Sequence, residues 1–240
     1  IKVEDGRIKS ITDYSNLPNK KSNLDISNGF EVIDATGLHI FPGVIDDQVH
    51  FREPGAIAKA TIYSESRAAV LGGVTSFMDM PNNNPPATSN DAIEHKLKIA
   101  EKDSYANYSF YLGATNDNLN EILAVDKKRI CGVKVFMGSS TGNMLVDNDI
   151  ALEEIFAKSP VLVATHCEDE ATIKANLQYY KELYTGKEIP FSAHPLIRSR
   201  EACIKSTSKA IELAKRFGTR LHILHISTAE EIKMITDAIS

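Results

Sequence analysis

The 240-residue sequence predicts an α/β protein: an incomplete (β/α)8 barrel of six βα units, preceded by a piece of a small β-domain. Three observations support this fold class. Short apolar runs alternate six times with longer amphipathic stretches, which is the pattern of repeated βα units. No glycine-rich phosphate turn follows any run, which removes the usual reason to choose an open doubly wound sheet. Histidines close the first, fifth and sixth predicted strands, where a barrel places its reactive groups.

Residues 1–40 carry the signals of the small β-domain. IKVEDGRIKSI consists of two β-type segments around an Asp-Gly turn, and FEVIDATG is a third segment that ends at a glycine. The barrel units follow from residue 41. Their predicted strands are 44–48, 74–78, 107–112, 132–136, 161–165 and 220–224. The predicted helices between them are 61–72, 90–103, 119–127, 149–158 and 199–218.

Composition limits the partners of this globular chain. A net charge of -5, with 25% charged residues, argues against a broad electrostatic grip on nucleic acid or an anionic membrane. No long apolar run or leader segment is found, so we expect a cytoplasmic protein that acts on a small molecule. The 3 cysteines are widely spaced without a CxxC pair, which predicts reduced thiols and no cysteine zinc site.

The ends of the predicted strands suggest a metal site. The first strand ends in IDDQVHFREPG, and Gln48 and His50 share one face because strand side chains alternate. His166 and His225 close the fifth and sixth strands, and Lys134 lies within the fourth. Three imidazoles from different strands suit Zn²⁺ or a related divalent ion, with positions left for water and substrate. A structural role is the alternative for any one histidine alone.

Lys134 is the unusual member of this set. A buried lysine in an apolar strand is unfavourable unless its charge is removed or paired. Carboxylation of the amine by CO2 would convert the cation into an anionic oxygen ligand that can bridge two metals. An ion pair with a carboxylate such as Asp79 or Glu168 is the alternative, and the sequence leaves both open.

The motifs together resemble those of the amidohydrolase superfamily, and of the dihydroorotases within it. DATGLHIFPGVIDDQVHFREPG is similar to the first superfamily signature, and GGVTSFMDMPNNNPP, GVKVFMGSSTGNML, THCED and LHILHISTAEE follow in the order found in dihydroorotases. The resemblance implies a (β/α)8 barrel over residues 41–240, with residues 1–40 forming part of a β-sandwich built from both chain ends. It also implies one or two zinc ions and the interconversion of dihydroorotate and N-carbamoyl-L-aspartate in pyrimidine biosynthesis.

The resemblance implies roles for individual residues. The metal ligands it implies are His50 on the first metal, Lys134 as a carboxylated bridge, and His166 and His225 on the second metal. Arg52 and Asn82 fall where the family binds the substrate carboxylate, and a planar guanidinium and amide donors suit that task. The alternatives are an ion pair between Arg52 and Glu53, and simple turn chemistry for Asn82.

Two departures from the family pattern affect this interpretation. The usual His-x-His pair is Gln48-Val49-His50 here, and a glutamine amide oxygen is a weaker zinc ligand than imidazole, so we expect a loosely held or absent first metal. The catalytic aspartate of the family comes from the eighth strand, so none is expected within residues 1–240. The sequence is therefore interpreted as the N-terminal portion of a longer chain, and the isolated fragment is expected to be unstable and inactive.

Two other functions compete with this interpretation. An allantoinase or hydantoinase is disfavoured by Arg52, because allantoinase-like sequences tend to carry asparagine there, followed by a Trp-Glu-Gly-Phe stretch, and the chain has no Trp. A catalytically silent dihydroorotase-like subunit, supporting a partner such as aspartate transcarbamoylase, is favoured by Gln48 and disfavoured by the four retained ligands. A homodimer is a further family expectation.

Three further motifs carry weaker predictions. SAHPLIRSREA, with His194 and Arg198, resembles a family loop to which no chemistry is attached. His222 faces away from His225 and is predicted to pack. STGNML is predicted to form a loop over the site, because Gly, Ser and Asn permit movement.

Overall fold

The computed structural model describes residues 1–13, 31–138 and 144–239. Most of the predicted STGNML loop, residues 140–143, lies outside them. The chain divides into two compact units, Ile1–Pro42 and Gly43–Ser240. No helix within the described ranges is both long and apolar enough to cross a membrane.

The first unit contains an antiparallel hairpin of β1 (Lys2–Glu4) and β2 (Arg7–Ser10). Asp5 and Gly6 form its turn with φ of 52° and 69°, as the predicted Asp-Gly turn requires. The prediction of a third strand at FEVIDATG was wrong over its described residues, 31–37, which hold no strand. The Asp34 carboxylate accepts hydrogen bonds from both the N–H and the hydroxyl of Thr36, and this local turn competes with extended pairing.

Six parallel strands form the sheet of the second unit, in sequential order. They are β3 (Val44–Val49), β4 (Val74–Asp79), β5 (Asn107–Gly113), β6 (Gly132–Phe136), β7 (Val163–His166) and β8 (Leu221–Ile223). Each lies within two residues of its predicted bounds. Sequential parallel strands joined by helices are the topology of a (β/α)8 barrel, so the predicted fold class is confirmed.

The sheet is curled, as contacts between side chains of its first and last strands show. His222 Nε2 on β8 lies 3.1 Å from Asp47 Oδ2 on β3. The Tyr111 hydroxyl on β5 donates to the Asp47 carbonyl at 3.1 Å. His222 was predicted to pack, and the structure adds a contact between its ring nitrogen and a carboxylate across the sheet.

The helices lie between the strands and after the last one. They are α1 (Ile62–Leu71), α2 (Asn90–Asp103), α3 (Leu119–Leu123), α4 (Asp149–Lys158), α5 (Glu170–Leu183), α6 (His194–Ile197), α7 (Arg200–Phe217) and α8 (Ala229–Ile239). Five of these helices are preceded by an N-cap residue whose side chain accepts a backbone N–H of the first turn. These residues are Thr61, Ser89, Asn148, Asp169 and Ser199. α5 was not predicted, and Ile173 is its one buried residue.

Alternation along the central strands separates two faces. Val133 and Val135 on β6 are fully buried and belong to the main apolar core, together with helix residues such as Ile122, Ile155 and Phe156. Lys134, between the two valines, faces the other side of the sheet and pairs in register with Ala164. Ala164 belongs to a second apolar cluster, with Met80, Tyr111 and Leu224. The lysine therefore points into the curl of the sheet.

Candidate metal centre

The predicted ligands lie on strands of the curled sheet or at their carboxyl ends. His50 follows β3, His166 is the last residue of β7, and His225 lies two residues after β8. Lys134 is the middle residue of β6. Because carboxyl ends of parallel strands meet at one rim, these side chains belong to the end of the sheet where barrel enzymes carry out chemistry.

His166 and His225 form a close pair. His166 Nδ1 lies 3.1 Å from His225 Nε2, with the rings edge to face and their centroids 4.8 Å apart. His166 Nε2 lies 2.6 Å from Glu168 Oε2, and a carboxylate accepts only, so Nε2 carries the proton and Nδ1 has a lone pair. Two nitrogens on one tetrahedral ion, at Zn–N bonds of about 2.0–2.1 Å, stand roughly 3.4 Å apart. The observed separation suits two ligands of one ion.

Glu168 links His166 to Arg198. The Arg198 guanidinium donates from Nε to Glu168 Oε1 at 2.8 Å and from Nη2 to Oε2. Burial raises the pKa of Glu168, but hydrogen bonds from His166 and Arg198 outweigh it and lower the pKa to about 2. A permanently ionised carboxylate on the outer nitrogen fixes the tautomer of a metal-binding histidine. Arg198, to which the sequence attached no chemistry, therefore supports the site.

We expect Glu168→Gln to weaken divalent metal binding about 10- to 100-fold, because an amide can donate to His166 and so favour the wrong tautomer. Zinc affinity, measured by competition with a chelator, tests this. The matched control is Glu230→Gln, which alters an exposed Arg–Glu pair with Arg200. Equal affinities in the two variants would remove the assigned role of Glu168.

Among the described residues of this unit, two lysines are buried, with contrasting surroundings. Lys96 is 0% exposed and pairs with Asp79, its Nζ 2.7 Å from Oδ2. Lys134 is 1% exposed, and its Nζ has no hydrogen-bond partner and faces the Phe136 ring at 4.4 Å. Burial lowers the pKa of Lys134 to about 7. Near pH 7, about half of the molecules carry this amine in its neutral form. The neutral amine is the form that reacts with CO2.

Neither carboxylate considered as an ion-pair partner for Lys134 contacts it. Asp79 pairs with Lys96, and Glu168 pairs with Arg198. The buried amine is thus a polar atom that the rest of the described chain leaves unsatisfied, as expected of a group that is modified or bound in the working protein.

The other half of the site consists of His50 and Asn82. His50 Nδ1 lies 2.8 Å from Asn82 Oδ1, so Nδ1 donates to the amide oxygen and Nε2 keeps its lone pair. Burial, followed by the Arg52 cation, lowers the pKa of His50. Gln48 is half-buried one strand period before His50 and would offer an amide oxygen in place of a second imidazole.

Arg52 adopts a left-handed backbone conformation with φ of 64°. Glu53 is engaged elsewhere, because its Oε2 accepts the N–H of Ile62 at the start of α1, at 2.8 Å. Within the described ranges, no ion pair joins Arg52 to Glu53, so that alternative for Arg52 is not found.

Lys134 is electrostatically coupled to both histidine groups. Burial and the neighbouring His166 lower the pKa of His225 to about 4, and the Lys134 cation contributes to the lowering. The same cation also lowers the pKa of His50.

The structure brings together some of the predicted ligands only. Over the described part of the chain, no three His, Cys, Asp or Glu side chains form a group that could hold a metal. His166 is paired with His225, whereas His50 is paired with Asn82. The donor set fits a divalent ion when Lys134 contributes an oxygen, since its amine is unpartnered and the two nitrogens of the histidine pair converge. At the first position, Gln48 fits an ion poorly.

Residues 39–240 match the Amidohydrolase family. The chain belongs to the amidohydrolase family. It is 32% identical over 239 residues to a dihydroorotase from Methanosarcina acetivorans, covering 98% of this chain and 48% of that protein. It is 35% identical over 215 residues to an allantoinase from Desulfitobacterium hafniense, covering 87% of this chain and 47% of that protein. Its fold matches L-hydantoinase from Arthrobacter aurescens with a TM-score of 0.79 at 29% identity, and the match covers 86% of this chain and 46% of that protein.

This amidohydrolase-family chain spans about half the length of the curated relatives that it matches. The resemblance to dihydroorotases is confirmed, and allantoinases match over a similar extent. The family is generally metal-dependent, which supports a divalent metal at the site described above.

Proposed function

We propose that this chain carries the metal centre and substrate-binding loops of a cyclic amide hydrolase, a dihydroorotase that interconverts dihydroorotate and N-carbamoyl-L-aspartate. The observation that carries the proposal is the convergence of His166 Nδ1 and His225 Nε2 within electrostatic range of a buried Lys134 amine that has no partner. Residues 1–40 are assigned to a β-sandwich and residues 41–240 to the barrel.

Each proposed ligand has a defined task. The neutral Lys134 amine would add to CO2 and release a proton, which gives a carbamate with two ligand oxygens. His166 and His225 would hold one zinc ion, and His50 would hold a second, weaker one. When bound, zinc supplies Lewis acidity and lowers the pKa of a water molecule, so that a nucleophile is available at neutral pH. Glu168 holds the proton of His166 on Nε2, which leaves Nδ1 free to bind metal. Asn82 holds the proton of His50 on Nδ1, which leaves Nε2 free.

Two loop residues are proposed to bind the substrate carboxylate. Arg52 offers a planar fork of donors and has no ion pair with Glu53 in the described structure. The Asn82 amide oxygen accepts from His50, which leaves its NH2 group to donate to an acidic ligand. One amide thereby connects a metal ligand to the substrate. A carboxylate-bearing ring such as dihydroorotate is the match for this chemistry.

Two alternatives each have one supporting observation. The allantoinase from Desulfitobacterium hafniense is 35% identical to this chain, which supports a neutral cyclic amide as substrate. Gln48, in place of a ligand histidine, supports a silent subunit beside an aspartate transcarbamoylase. The zinc identity, the homodimer, the cytoplasmic location and a catalytic aspartate outside residues 1–240 stay predictions.

Turnover of dihydroorotate, allantoin and hydantoin by the full-length protein tests this proposal. We expect dihydroorotate to be the preferred substrate, and Arg52→Gln to lower its kcat/KM about 10- to 100-fold, mainly through KM, because hydrogen bonds to a charged group are lost. Arg67→Gln, which alters an arginine beside Tyr63 on α1, is the control. Preference for allantoin or hydantoin, with no effect of Arg52→Gln, would replace the proposal by the allantoinase or hydantoinase alternative.

A further inference from the structure

A buried ion pair lies beneath two loops. The first loop, residues 50–61, follows β3, and the second loop, residues 80–89, follows β4. Lys96 on α2 and Asp79, the last residue of β4, are 0% and 1% exposed at their side chains, and Nζ lies 2.7 Å from Oδ2. The Phe110 ring lies 4.7 Å from the ammonium nitrogen. Replacing such a pair by apolar residues is often neutral or stabilising, so stability alone does not explain it.

Asp79 holds the first loop. Its Oδ1 accepts the backbone N–H of Phe51 at 2.8 Å. Phe51 stands between His50 and Arg52 in the chain. Arg52 has φ of 64°, which is strained for a non-glycine residue and persists only where the surrounding contacts fix it. The bond at Phe51 and the bond from Ala56 N to Arg52 O, at 3.0 Å, are two such contacts.

Lys96 holds the second loop. Its ammonium donates to the carbonyl of Met80 at 3.0 Å and to Asn83 Oδ1 at 2.8 Å. The Asn83 amide then donates to the carbonyl of Glu53 in the first loop at 3.0 Å. Asn83 neighbours Asn82 in the chain. The ion pair is therefore bonded to both loops, within one residue of Arg52 and within one residue of Asn82.

The two loop backbones also pack directly against each other. A side-chain carbon added at Gly55, whose φ is 103°, would lie 2.0 Å from the carbonyl oxygen of Asn84. Buried polar networks whose members are all bonded make a structure rigid. The loops are thus held in one arrangement by contacts that lie below the surface that a ligand would reach.

We propose that Lys96 and Asp79 are positioning residues, which hold Arg52 and Asn82 at the spacing that a substrate carboxylate requires. The proposal rests on the proposed function for the identity of the ligand. Neither residue touches substrate, because both are fully buried. They act through the N–H of Phe51 and the amide of Asn83.

Kinetics of Lys96→Met/Asp79→Leu in the full-length protein test the proposal. The double variant removes both charges while keeping side chains of similar shape, whereas either single change would leave a buried charge alone. We expect KM for dihydroorotate to rise about tenfold or more, with kcat and metal content changed less than about threefold, because misplaced binding groups mainly affect substrate binding. Asn83→Ala, which removes the link between the loops without removing either charge, is expected to raise KM in the same direction.

Hydrogen–deuterium exchange over residues 50–56 and 80–87 provides a readout that needs no activity. We expect exchange in both segments to quicken about tenfold in the double variant, since local opening becomes easier. Ser66→Ala is the control, because Ser66 is buried on α1 and its hydroxyl accepts the N–H of Tyr105, a residue outside both loops, at 3.1 Å. It is expected to lower stability without altering KM or exchange in these segments.

The outcomes separate this inference from the proposed function. If the wild-type protein hydrolyses no cyclic amide, the proposed function fails, and exchange in the two segments still decides whether the ion pair orders the loops. If the protein hydrolyses dihydroorotate but both KM and exchange in the double and Asn83→Ala variants match wild type, the inference is overturned and the function stands.

Discussion

Lys134→Met is expected to abolish metal binding and lower turnover about 1,000-fold or more, and yet to stabilise the metal-free protein by about 1 kcal/mol. Both effects have one cause. The Lys134 amine is buried without a partner, which is unfavourable for folding and necessary for a carbamate ligand. Methionine fills the same space without a polar atom. A gain in stability combined with a loss of activity marks a residue retained for function.

Lys96→Met is the matched control for this prediction, since Lys96 is the other lysine buried in the described sheet and helices. Its removal leaves the Asp79 carboxylate buried and unpaired, so we expect destabilisation of about 3–5 kcal/mol. Chemical denaturation of the metal-free proteins, with metal analysis of the loaded ones, measures both effects. A Lys134→Met variant that is destabilised and still binds metal would contradict the carbamate assignment.

His166→Ala and His225→Ala are each expected to remove the ion proposed between them and to lower turnover about 1,000-fold. The two nitrogens lie 3.1 Å apart, so loss of either side chain leaves one imidazole and the proposed Lys134 oxygen, which are fewer protein ligands than the three of a catalytic zinc site. The double variant should be no worse than either single one, because the two residues act as a unit.

The control for the histidine prediction is His222→Ala, within β8 and three residues before His225. His222 is half-buried and contacts Asp47, and a surface pair of this kind contributes about 0–1 kcal/mol. Its replacement is expected to leave metal content and kcat unchanged. Metal analysis and steady-state kinetics of the variants make the comparison. Metal loss in His222→Ala equal to that in His225→Ala would show that folding, and not ligation, was affected.

The strands of the barrel could be predicted because their signals are local. Apolar runs such as the one around Lys134 are short and bounded by turn residues, and period-two alternation fixes which side chains share a face. Strand ends meet at one rim in a parallel sheet, so His50, His166 and His225 could be assigned to one end without any structure. The helix α5, which buries a single residue, Ile173, was not predicted.

The supporting contacts of the site could not be predicted, because they join residues far apart in sequence. Arg198 reaches Glu168 across 30 positions, and nothing local to either residue identifies the other as its partner. Lys96 is equally uninformative in sequence, since it lies in an amphipathic helix where lysine is usually exposed. The acidic residue two positions after His166 was the one available signal for an outer ligand support.

The measurement that tests the account most directly is the metal content of the full-length protein, together with dihydroorotate turnover, before and after Gln48→His. The account predicts about one zinc ion per chain and measurable turnover in the native protein, and a second, more tightly held ion after the substitution, because imidazole is a better zinc ligand than an amide. Absence of metal and of turnover in the native protein, with both gained only after Gln48→His, would contradict it and establish the silent-subunit alternative.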